Sequence, residues 1–166
     1  DPGLVEEKAS LANIKINTAQ DLTDSQADIL ESMRSVMAKV RSGLADADTI
    51  LGVDNTLFND EFEQYLGNQD TQSIYDAEDA FVSAEIARDS AEDLLSALDI
   101  SDDEALDLAV EGVDKAYSLT YQSLLETSKV LDSTEVDTTN LSSADLIAFK
   151  TTISTAQSAL MTAGSA

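Results

Sequence analysis

Apolar positions recur at helical intervals along nearly the whole chain. Ile29, Met33, Val36, Val40, Leu44 and Ala47 follow a 4-3-4-4-3 spacing, one apolar stripe on a long helix over residues 22–51. Glu31, Arg34, Lys39 and Arg41 fall on its opposite side. Before it, Leu4, Leu11 and Ile14 keep helical spacing over residues 4–16. Residues 17–20 are then either a turn or a continuation. With a turn, Asp21 or Thr23 caps the second helix.

Gly52-Val53-Asp54-Asn55 interrupts the stripe. Residues 57–66 form a shorter unit carrying Phe58, Phe62 and Tyr65, closed by Gly67-Asn68 as a helix C-cap would close it. A third helix is expected over residues 71–98, with Ile74, Ala77, Phe81, Ala84, Ala91, Leu95 and Leu98 in heptad spacing and Arg88 at one core-like position. Alanine at 77, 84 and 91 permits a close helix neighbour. Ser101 followed by Glu104 reads as a capping box for a fourth helix, residues 102–131. Residues 132–140 are polar, a loop. Ser142 or Ser143 caps the last helix, where Leu146, Phe149, Ile153, Ala156, Leu160 and Ala163 repeat as 3-4-3-4-3.

Each stripe must be covered, and helices joined by short loops cover one another. The expected fold is all-α: an up-and-down antiparallel bundle of four to five helices with one short aromatic helix, in one domain spanning residues 1–166. Composition agrees. The only proline is Pro2, so nothing after it is sterically barred from a helix. No run approaches the roughly 18 apolar residues of a membrane span, so membrane insertion is not expected.

Charge changes the picture most. The chain holds 33 acidic and 9 basic residues and neither histidine nor cysteine, for a net charge of -24. That opposes binding to nucleic acid phosphates. It also removes the preferred ligands of zinc, copper and haem, and the base of a Ser-His-Asp triad. No cofactor is expected. The charge is uneven: residues 70–114 carry 15 acids and one base, Arg88, whereas residues 138–166 carry one acid, Asp145, and one base, Lys150. Paired carboxylates such as Glu92-Asp93 and Asp102-Asp103-Glu104 read as a solvated helix face. Asp46, Asp48, Asp54, Asn55 and Asp60 cluster around a loop, but their spacing does not fit a calcium-binding EF-hand.

Thr18-Ala19-Gln20, Leu22, Ser25-Gln26 and Ser42-Gly43-Leu44 resemble the N-terminal helix of bacterial flagellins, across one single-residue gap. The likeness covers fewer than 30 residues. Where flagellins have an arginine-rich run, this chain reads Ala45-Asp46-Ala47-Asp48. The resemblance implies a filament-like subunit.

The chain therefore reads as a non-catalytic extracytoplasmic structural or interaction protein. It is expected to be a self-assembling surface or filament subunit with an acidic exterior, a homo-oligomer or a binder of another protein. Expected assembly contacts are Leu4, Leu11, Ile14, Phe149, Ile153 and Leu160. A ligand-binding sensor or carrier bundle is an alternative, with a pocket at Phe58, Phe62 and Tyr65. An acidic decoy that binds a basic partner is another. The start at Asp1, without an initiator Met, suggests a secreted protein whose signal segment was removed.

Overall fold

A computed structural model describes residues 2–54, 62–136 and 141–165, with the side chains of residues 2–7 and 9 outside that description. The described residues form long helices and no strand. They are α1 (Pro2–Leu51), α2 (Gln72–Ala97), α3 (Asp103–Asp132) and α4 (Ser143–Ala163). One 3-10 turn, Glu63–Tyr65, precedes α2. Of the expected aromatic helix, Phe58 lies outside the described residues.

The helices run up and down. Gly112 of α3 lies against Ala91 and Leu94 of α2, and Ser133 at the end of α3 meets Ser73 at the start of α2. Lys150 of α4 meets Asp132, Gln157 donates to the Leu124 carbonyl, and Gly164 lies against Tyr117, so α4 runs back along α3. Gln26 reaches Asp103, and Gly43 lies against Thr120 and Leu124, so α1 and α3 are parallel.

Alanine sets the closeness of α2 and α3. Ala77, Ala84, Ala87 and Ala91 are buried on α2, and Ala109 and Ala116 on α3. Gly112 completes this seam: a Cβ there would stand 2.7 Å from the Leu94 Cδ1. Phe81, Met37, Leu44, Leu124, Leu131 and Leu160 supply bulk at the centre. Among the described residues, the hydroxyls Thr120 Oγ1 and Ser123 Oγ are buried without a hydrogen-bond partner.

Several local expectations change. Residues 17–20 do not turn: α1 runs through them, so neither Asp21 nor Thr23 caps a helix. Their backbone groups stay in the helical ladder, and the Thr23 hydroxyl donates to the Ala19 carbonyl at 3.0 Å. The cap of α3 is Asp102, not Ser101. Its carboxylate accepts from the amides of Glu104 and Ala105, while Ser101 is held by Asp99. A carboxylate suits this end of a helix, where the macrodipole is positive. Replacing Asp102 with alanine should lower stability by about 1 kcal/mol. A urea titration should show a smaller loss for Ser101→Ala. At α4 the cap is Ser142, in a full capping box with Asp145. The hydrogen bonds from Ser142 hold the Asp145 carboxyl below its ordinary pKa.

Gly67 ties the loop to the bundle. Its φ of 56° lies in the left-handed region that favours glycine, and its amide donates to the buried Thr134 hydroxyl at 2.9 Å. Asn68 and Gln69 bond to residues 133–135 beside it, which fixes the entry to α2 at the end of α3.

Candidate interaction surface

The bundle ends before α1 does. Among the described side chains Gln26 is the first buried residue of α1, and its amide donates to Asp103 at the start of α3. Among the described side chains before it, every one is exposed. At a rise of 1.5 Å per residue, residues 2–25 project roughly 36 Å beyond the α2–α3 turn. Serine and threonine in this arm return their hydroxyls to the helix: Thr18 to the Ile14 carbonyl and Ser25 to that of Asp21.

The arm is not uniformly polar. Leu11, Ile14 and Leu22 are 54%, 59% and 57% exposed, and Ile29, level with the bundle end, is 41% exposed. The spacing runs Leu11, Ile14, Thr18, Leu22, Ser25, Ile29, Met33, Val36, a 3-4-4-3-4-4-3 repeat. The stripe that makes the core therefore continues, in register, into water. Ile16 stands off this face and is exposed as well.

The stripe meets a groove where it enters the bundle. α4 stops at Ala163, level with Tyr117, and an opening lies beside that end between α1 and α3. The opening has a volume of about 180 Å³ and is lined by Met33 and Val36, by Val110, Val113 and Tyr117, and by Asp114.

The other expected contacts lie elsewhere. Leu4 is in α1, but its side chain is outside the described residues. Ile153 and Leu160 are 1% and 0% exposed, inside the core, so they face α1 and α3 rather than another molecule. Phe149 is half-buried and stacks on Phe62 with ring centroids 5.0 Å apart. Phe62 thus packs against the core, which leaves its ring engaged by α4. Tyr65 is half-buried in the 3-10 turn.

The carboxylates show two kinds of environment. Asp46 is pushed above its ordinary pKa by burial. Glu85 is raised by burial and by the neighbouring Asp54, against the pull of Arg88. Arg88 pairs within α2, with Glu85 and Asp89, both at 2.8 Å, rather than across helices. Among the described residues no three acidic side chains converge as metal ligands would.

Comparison with protein-family models, curated proteins and solved structures finds no match for this chain.

Proposed function

We propose that this is a non-catalytic structural or interaction protein, a subunit of an assembly, whose working surface is the projecting arm of α1. One observation carries the reading: the apolar stripe of the core extends past the end of the bundle through Leu22, Ile14 and Leu11, where nothing described covers it. These three and Ile29 at the bundle end, on one helix face, are a seam of the kind that helices use to associate. The acidic α2–α3 hairpin keeps the remaining surface in water.

The test separates arm from bundle. Removal of residues 1–22 should leave the thermal midpoint within about 3 °C of the parent, because every described side chain in that segment is exposed. The same truncation should abolish association, read by sedimentation or by binding to a partner protein. A truncated chain that associates as the parent does would overturn the reading.

A further inference from the structure

We propose that the arm is covered by the arm of a second copy of this chain, running antiparallel to it about a twofold axis near Gln20. This rests on the reading of the arm as the working surface and names its partner.

Charge order along α1 selects both the partner and the direction. Residues 8–20 contain Lys8 and Lys15 and no acid. Residues 21–31 contain Asp21, Asp24, Asp28 and Glu31 and no base. An antiparallel copy lays each basic stretch alongside the other's acidic stretch. A parallel copy would lay like against like along the whole seam. The stretches come level when the axis lies near residue 20, which also brings residues 4–11 of each copy alongside Ile29–Val36 of the other. That is the height of the open groove between α1 and α3. The tip of each arm then lies at the end of the other copy's α4.

Repulsion between the bundles points the same way. Each chain carries a net charge of -24. About an axis near residue 20, the middles of the two packed halves of α1 stand roughly 60 Å apart along the helices, far beyond a Debye length of about 8 Å in physiological salt. Parallel pairing would set the two acidic bundles side by side.

The arm also needs a cover. Asn13, Ile14, Asn17, Thr18, Asp21 and Thr23 are weak helix formers, and an unsupported helix of such residues frays in water. A reciprocal seam, in which each copy presents the same face, closes as a two-chain unit.

The chain lacks cysteine, so single spin labels can be placed through Ala19→Cys and Ser10→Cys in the otherwise intact protein. Interchain distances should be short at position 19, on a flank of the seam beside the axis, and about 30 Å at position 10, from the helical rise. Lys8→Glu with Lys15→Glu should weaken the dimer at least about tenfold in sedimentation equilibrium. Adding Asp21→Lys and Asp28→Lys, each one residue before a seam position, to that variant should restore it to within about threefold, since the net charge returns to the parent's. Short distances at both positions would mean a parallel pair and overturn the inference, while leaving the arm as the contact. A chain that stays monomeric at high concentration also overturns it, and another protein would then be the arm's partner. A dimer that survives removal of residues 1–22 overturns both this inference and the reading beneath it.

Discussion

Replacing Phe81 with alanine is expected to cost about 4 kcal/mol, in the range of 3–5 kcal/mol for a buried aromatic. Phe81 is 1% exposed, and the other buried residues of α2 are Ser73 and four alanines. The alanines of its own helix have no atoms to swing into the space. A domain of this size holds about 5–15 kcal/mol in total, and the melting midpoint should fall by roughly 10 °C. In urea the midpoint should drop with an unchanged slope. The adjacent Val82 is 44% exposed, so Val82→Ala should stay within about 0.5 kcal/mol of the parent. A Phe81→Ala loss no larger than the Val82→Ala loss would contradict the burial of this ring.

Periodicity made the bundle legible because it is a property of buried faces. The stripe from Ile29 to Ala47, the alanine seam at 77, 84 and 91, and the 3-4-3-4-3 repeat of the last helix all lie on the long helices observed. The same rule hid the arm. Leu11 and Ile14 have helical spacing whether or not anything covers them, so the sequence alone cannot say where the bundle stops. That boundary comes from lengths: α2 and α3 turn at residues 98–102, level with Gln26, and α1 is longer than its neighbours. Residues 17–20 misled for a related reason. Asn17 and Thr18 are common in turns, yet they remain helical here with the Thr18 hydroxyl bonded to Ile14.

The last helix was legible as a stripe but not as a surface. By sequence, the near-neutral stretch over residues 138–166 and its apolar stripe read as a face for another molecule. The same composition suits close packing within one chain, and Ile153, Ala156 and Leu160 are buried against α1 and α3. Its outer face still carries Ile147 and Met161, at 65% and 50% exposure. Caps were legible to within one residue. Ser101 and Asp102 are both good N-cap residues, and only geometry separates the one that accepts from two helix amides from the one held by Asp99.

Removing residues 142–166 should abolish the folded state itself, in contrast to removing residues 1–22. The segment contains Ile153 and Leu160, both almost fully buried, with Ala156 at 8% exposure. It also holds Phe149 against Phe62, Lys150 against Asp132 at 2.8 Å, and Gln157 on the Leu124 carbonyl. Losing two large core side chains alone removes about 4–10 kcal/mol. The faces of α1 and α3 that α4 covers would then open to water as well. Together these losses match or exceed the whole stability of a domain. The truncated chain should show helical far-ultraviolet dichroism with little near-ultraviolet signal, strong dye binding, and no cooperative melt. A cooperative transition within about 2 kcal/mol of the parent would show that α1, α2 and α3 form a self-sufficient core. The outcome governs how assembly experiments are read: association lost with α4 reports an unfolded bundle, whereas association lost with the α1 arm, at unchanged melting temperature, reports a contact.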